Sequence, residues 1–240
     1  MERLLGKKTD AMIFESRFSS LTYEEKIGKI PCKYKVIHNG LSEAELTAPD
    51  HVNGENDFLF LGEFRGLKGI DVLFAAVALI NKERHNGERP IKLIVAGGGR
   101  GKPEKLIAHI KSMGLEDAIE ISPPIYPAME AFRKTKCIVV PSRAESLPYI
   151  VLEAAAAGVP IITTNVGGIK EIFGPYSDQL IAPDNAAVLA DAMRAVMDHP
   201  DIATANAAKL RDRVRSLFRI DTMGHDISAL YTDILGVQRP

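Results

Sequence analysis

Several kinds of chemistry are missing from this chain of 240 residues. It has two cysteines, Cys32 and Cys137, and they do not stand at metal-ligand spacing. Cys137 lies in the apolar run CIVV and reads as a small buried hydrophobe. No apolar run is long enough to cross a bilayer. The opening MERLLGKKTD lacks the apolar core of a signal peptide, so a cytoplasmic protein is the default expectation. Net charge is −1 and the pI about 6.6, which gives no support to wholesale nucleic-acid binding and leaves only local basic clusters. The six histidines form neither HxxxH nor HExxH. No GxSxG elbow marks a serine hydrolase, so Ser142 and Ser146 read first as loop or cap residues.

What the chain does have is an ordinary globular composition, 46% hydrophobic and 25% charged. That is enough for one large core or two modest ones. From Asp57 onward, short apolar runs alternate with helical patterns. The strand candidates are DFLFLGE, IKLIVAGGG, AIEISPP, CIVVPS, VPIITTN and a short DQLIAP. They are continuously apolar rather than alternating, which is how parallel strands covered on both faces read. The spacing predicts βαβ units: an α/β fold with a doubly wound, mostly parallel six-stranded sheet over residues 33–200. Residues 201–240 read as amphipathic helices that pack back on it. At the front, TDAMIFESRFSSLTYEEKIG, within residues 1–32, reads as one strand and one short helix. These are either a terminal embellishment of the main sheet or the tail of another domain.

Ligands of open α/β sheets sit beyond the carboxyl ends of the strands, so the loops there matter most. After the first main strand comes GEFRGLKG, in which Gly62, Gly66 and Gly69 allow close backbone approach. Arg65 and Lys68 put two positive charges beside a helix start, suitable for a diphosphate or simply two solvated cations on a flexible loop. After the second strand, AGGGRGKP, which contains Gly98, is neither GxGxxG nor a Walker A loop, because Pro103 stands where Ser or Thr is required. It remains a glycine-rich turn facing the same crevice.

The most informative stretch is SRAESLPYIVLEAAAAGVP, Ser142 to Pro160. Glu145 falls in the loop at the sheet's carboxyl edge. Pro148 suits the first turn of the following helix, and Glu153 lies one to two turns into it. A glutamate within IVLEAAAAG is costly to bury without a partner. It points either to solvent or up into the crevice, toward hydroxyl groups of a ligand. The exposed amides of Ser146 and Leu147 could meet phosphate.

PSRAESLPYIVLEAAAAGVPIITTNVGGIKEI resembles the signature of the retaining GT-B glycosyltransferases of the group 1 family. The matching features are Glu145, seven residues and Glu153; the small-residue run Ala154 to Ala157; GxP at Gly158, Val159 and Pro160; and GGxxE at Gly167, Gly168 and Glu171. HNG at 38–40, FLGEFRGLKGIDVLFAA, LIVAGGG, IAPDNAAVLADAM and the final SLFRIDTMGHDISALYTDIL resemble further segments of that family. The resemblance covers nearly the whole chain.

The resemblance implies a Rossmann-like three-layer sandwich, the C-terminal half of a GT-B fold, that holds a nucleotide-sugar donor such as a UDP-, GDP- or ADP-sugar. By similarity Glu145 would sit near the donor sugar or its leaving phosphate, Glu153 would bind the ribose hydroxyls, and Lys68 would neutralise the diphosphate. The Ser146 and Leu147 amides would help to hold phosphate and sugar. Many members carry an arginine directly after the glycine matching Gly62. Here Glu63 stands there, and by similarity Arg65 would be the substitute cation. No separate cofactor and no metal are implied, because Arg, Lys and a helix end neutralise the pyrophosphate. The two glutamates are therefore a donor clamp and not a glycosidase pair flanking one scissile bond.

Members usually have two Rossmann-like domains, so residues 1–32 are expected to be the remnant of an N-terminal acceptor domain and its linker. The acceptor, whether a sugar, a lipid-linked or a small molecule, would bind through the missing domain, and peripheral membrane association of the full enzyme stays open. The chain alone is expected to be an inactive fragment of a hexosyltransferase-type enzyme. The alternatives are a non-catalytic nucleotide-sugar-binding module and a fragment of a GT-B nucleotide-sugar epimerase.

Overall fold

The computed structural model describes residues 8–47, 54–83, 89–98 and 103–236. Strand β1 (Ala11–Phe14) is followed by helix α1 (Arg17–Lys26), whose first turn is capped by the Ser16 side chain accepting from the Ser19 amide. Strand β2 (Lys33–Val36) then pairs with β1 in parallel, from Ala11 opposite Lys33 to Phe14 opposite Val36. Residues 33–36 therefore belong with the front of the chain and form no ladder with the main sheet. Phe14 meets Tyr23 and Tyr34 edge-on, with ring centroids 5.7 and 5.9 Å apart. Helix α2 (Glu43–Leu46) opens on a capping box between Ser42 and Glu45.

The main sheet is built from β3 (Asn56–Glu63), β4 (Leu93–Gly98), β5 (Ile119–Ser122), β6 (Thr135–Val140) and β7 (Ile161–Thr163). All pairings are parallel, in the order β5-β4-β3-β6-β7. The intervening helices are α3 (Ile70–Glu83), α4 (Pro103–Ser112), α5 (Ala128–Phe132), α6 (Tyr149–Ala156) and, after β7, α7 (Ile169–Phe173). Helices α8 (Ala186–Asp198), α9 (Pro200–Leu217) and α10 (Ile220–Leu235) complete the described chain.

The continuous apolar strands are explained by their two covered faces. Phe58, Phe60, Val95, Cys137 and Val139 pack with Leu73, Phe74 of α3 and Leu189, Met193 of α8. Leu59, Ala96, Ile138 and Val140 pack on the other side with Val151, Leu152 and the alanines of α6. Ala154 to Ala157 are fully buried, and the small side chains let α9 approach α6 closely. Burial raises the pKa of the Cys137 thiol, as expected of an inert core cysteine.

The expected sixth strand, DQLIAP, is reduced to a single parallel bridge between Ile181 and Thr164. A 3-10 turn runs from Gly174 to Gln179, so extended chain begins only at Leu180, and Pro183 has no amide to continue a ladder. Asp221 lies in the first turn of α10, whose cap position is Arg219. The end of α9 returns to the HNG turn: the Leu41 amide donates to the Phe218 carbonyl and the Ile220 amide to the Leu41 carbonyl, both at 2.9 Å, and a Cβ on Gly40 would lie 2.4 Å from the Arg219 carbonyl oxygen. Among the described residues no helix is long and apolar enough to cross a membrane.

Candidate functional site

Strand order reverses between β3 and β6: the chain moves outward through β4 and β5, then returns to the other side of β3. Loops at the carboxyl ends of β3 and β6 therefore diverge around a crevice, the usual ligand position in such sheets. The first loop carries Gly62 to Gly69 and the second Pro141 to Pro148. Between them is a cleft of about 650 Å3, lined by Gly62, Arg65, Lys68, Glu145, Ser146 and Tyr149 among others.

Lys68 and Glu145 meet across this cleft. The Lys68 ammonium donates to Glu145 Oε1 at 2.7 Å, and the same oxygen accepts from the buried Ser142 hydroxyl at 2.6 Å. Glu145 is 9% exposed and Lys68 28%. Glu145 Oε2 has no partner among the described residues. A lysine ammonium has three donors and this contact uses one. Sequence reasoning missed Ser142, treated above as a loop or cap residue. Its position three residues before Glu145 was the available signal.

The loop holding Glu145 rests on two glycines. Gly167 has φ +59°, and a Cβ there would lie 1.6 Å from the Glu145 carbonyl oxygen. The Gly168 amide donates to the Ser146 carbonyl at 2.6 Å. Thr164 Oγ1 donates to the Ser142 carbonyl at 2.6 Å, and Asn39 Nδ2 to the Leu147 carbonyl at 2.8 Å. These bonds engage carbonyls of the loop. The amides of Ser146 and Leu147 have no acceptor among the described residues, and Pro148, at the cap position of α6, gives it no side-chain cap. Ser146 and the first residues of α6, where the helix dipole has its positive end, thus share one wall of the cleft.

The other expected residues distribute unevenly. Arg65 lines the cleft, but its guanidinium is paired with Glu63 at 2.9 Å in an exposed contact. Gly62 lines the cleft, and Gly66 has open space where a Cβ would be. Leu147 is buried in the core and does not line the cleft. Gly98 ends β4 outside that lining, and residues 99–102 of the glycine-rich loop lie outside the described residues. Glu153, in the second turn of α6, is half-buried and does not line the cleft with Glu145. Burial raises its pKa, and the neighbouring Glu45 charge raises it further.

Glu171, the last residue of GGxxE, ties the front of the chain to this loop. Its carboxylate accepts from the Arg17 and Phe18 amides, both at 2.9 Å, and meets His38 Nε2 at 3.0 Å. Burial opposes its ionisation, but the Phe18 and Arg17 amides and His38 outweigh it, and its pKa is lowered.

Comparison with known proteins fits this geometry. The family model "Glycosyl transferases group 1" matches residues 43–216. A D-inositol 3-phosphate glycosyltransferase of Arthrobacter sp. (strain FB24) is 33% identical over 162 residues, covering 66% of this chain and 38% of the relative. Glycogen synthase of Mycobacterium tuberculosis is 27% identical over 242 residues, covering 96% of this chain and 56% of the relative. The chain thus spans between about two fifths and just over half of the length of these relatives. Among solved structures, sucrose-phosphate synthase from Thermosynechococcus elongatus superposes with a TM-score of 0.82 at 23% identity, over 99% of this chain and 61% of that one. Anabaena Alr3699/HepE in complex with UDP-glucose gives 0.79 at 17% identity, over 96% and 66%. These two likenesses speak for the fold. With the family model matching well over half of its length, the chain belongs to the group 1 glycosyl transferases.

Proposed function

We propose that this chain is the donor-binding, C-terminal half of a retaining GT-B glycosyltransferase that moves a sugar from a nucleotide sugar to an acceptor. The observation that carries this reading is the half-engaged carboxylate of Glu145. One oxygen is fixed by Lys68 and Ser142, while among the described residues the other has no partner and the amides of Ser146 and Leu147 have no acceptor. That arrangement suits a sugar hydroxyl next to a phosphate. Lys68, keeping its bond to Glu145, turns its remaining donors to the diphosphate. Arg65 supplies the second cation once a phosphate competes with Glu63. Gly62 and Gly66 allow the donor backbone-close approach, and Gly98 and Glu153, outside the lining of the cleft, serve parts of the donor that extend beyond it, Glu153 taking the ribose hydroxyls.

In this reading residues 33–200 form the nucleotide-sugar-binding unit and 201–240 brace it. Residues 1–32, with the strand at 33–36 that pairs with them, are read as the remnant of the acceptor-binding domain and its linker, and the acceptor is a sugar, a lipid-linked or a small molecule. Support comes from the family match and from the similar fold of Alr3699/HepE, which binds UDP-glucose. Calorimetry of the chain with UDP, GDP and ADP tests the claim. One of them should bind, and Lys68→Ala should weaken it about tenfold, the scale of one lost charge-assisted hydrogen bond. Absence of binding to all three, and to their glucose conjugates, would sink it.

A further inference from the structure

We infer that Arg143, which does not line the cleft, is a positioning residue that sets Lys68 against Glu145; the inference rests on the donor-binding reading above. Its guanidinium grips Asp71 with both terminal nitrogens, Nη1 to Oδ1 and Nη2 to Oδ2 at 2.7 Å each. Its Nε donates to Asp184 Oδ1 at 2.5 Å, and Nη1 also donates to the Gly66 carbonyl. Its own backbone amide donates to the Leu67 carbonyl at 2.8 Å. One residue of the β6 loop therefore holds the β3 loop at two consecutive carbonyls and at the start of α3.

Those two carbonyls belong to the 3-10 turn Gly66–Lys68, which has no side-chain cap of its own. Next to it, Gly69 has φ +68° and a Cβ there would lie 2.0 Å from the Pro141 carbonyl oxygen. The turn is thus pressed against the chain just ahead of Arg143 and pinned by Arg143 itself. Lys68 is the last residue of the turn, and its ammonium reaches Glu145 two residues beyond Arg143. The two partners of the cleft's central ion pair are thus held to each other through Arg143, by its side chain and its backbone amide together.

Arginine is required by geometry. Asp71, Asp184 and Gly66 approach from three directions and use a planar fork; a lysine ammonium can satisfy one or two of them. The contribution to global stability is small, because Asp71 and Asp184 are more than half exposed and such pairs are weak. The consequence is local, in the position of Lys68.

The test is a double-mutant cycle on the full chain, with Arg143→Lys, Lys68→Ala and the double variant, each titrated with UDP, GDP and ADP and with UMP, GMP and AMP. Arg143→Lys should weaken the diphosphate that binds about fivefold while the monophosphate changes less than about twofold, since only the distal phosphate senses Lys68. In the double variant the diphosphate should bind no worse than in Lys68→Ala. Losses that multiply, or a diphosphate-to-monophosphate ratio left unchanged by Arg143→Lys, overturn the role. Amide hydrogen exchange separates this from the parent reading: the Lys68 amide, bonded to the Arg65 carbonyl at 2.9 Å, should exchange faster in Arg143→Lys with or without ligand. Unchanged protection refutes the positioning role even if no nucleotide binds; faster exchange without nucleotide binding refutes the donor reading alone.

Discussion

The two edges of the main sheet each bury a carboxylate beside cations, and they treat it differently. At the amino edge Asp57 is the second residue of β3. Its side chain is 5% exposed and accepts from Arg89 on both oxygens at 2.8 Å, from Lys136 at 2.9 Å and from the Lys92 amide at 3.0 Å. Burial pushes the pKa of Asp57 up, but these four donors outweigh it and hold it at about 2. At the carboxyl edge Glu145 is almost as buried, yet both of its donors converge on one oxygen. A saturated carboxylate can only brace the fold. A carboxylate with one oxygen unpartnered among the described residues, followed in the chain by amides without acceptors there, is open to a ligand. A cavity of about 660 Å3 lies beside Asp57 too, lined by Arg89, Lys136, Arg194 and Glu83. Size therefore does not distinguish the edges, but saturation does: Arg89 and Lys136 hold Asp57, and Arg194 is paired with Glu83 and Asp191.

The strongest way to break the comparison is to remove the support of the Glu145 loop. In Gly167→Ala the new methyl would sit 1.6 Å from the Glu145 carbonyl oxygen on a backbone with φ +59°. Loop or turn must move, and the cost should be about 3 kcal/mol or more. Urea denaturation should show that loss, with nucleotide binding abolished. A variant as stable as the parent would mean that the turn relaxes freely and the loop is not fixed by it.

Next in size is Asp57→Asn, which should cost about 2 kcal/mol at neutral pH and leave nucleotide affinity unchanged. The sign with pH follows from the depressed pKa. In the unfolded chain Asp57 titrates near 4, and in the folded chain at about 2. Its stabilisation is thus complete above the unfolded value and disappears as pH falls through the folded one. The stability gap between parent and variant should close between about pH 4 and pH 2. A gap independent of pH would show that the ion pairs contribute little.

The same contrast explains what could be read from the sequence. The sheet was legible because β3, β4 and β6 are apolar on both faces, and Glu145, Lys68 and the Ser146 amide because they lie at strand carboxyl ends. Long-range saturation was not legible. Arg89 and Lys136 stand 32 and 79 residues from Asp57, and only the fold brings them together. Arg143 was hidden for the same reason, since its partners lie at 66, 71 and 184. The β1–β2 pair escaped notice because KYKV alternates and is half-exposed, unlike the buried strands. DQLIAP was overread, since a short apolar run cannot reveal that a 3-10 turn consumes its first residues.

The smallest expected effect sharpens the comparison most, because its sign is reversed. Glu153 has neither the saturation of Asp57 nor the anchoring of Glu145: it is half-buried, without a partner among the described residues, and beside the Glu45 charge. Burial, then Glu45, raise its folded pKa, so its charged form is the disfavoured one. Relative to the unfolded chain, Glu153 costs nothing at low pH and becomes destabilising as pH rises through the raised value. Glu153→Gln should therefore stabilise the chain at neutral pH by less than about 1 kcal/mol. The gain should fade as the pH is lowered below the ordinary glutamate range. A residue retained for folding would give the opposite result. If Glu153 is retained for ribose, the same substitution that raises the denaturation midpoint should weaken the nucleoside diphosphate and leave binding of inorganic pyrophosphate unchanged. Loss of stability at neutral pH, or equal weakening of both ligands, would return Glu153 to the class of Asp57.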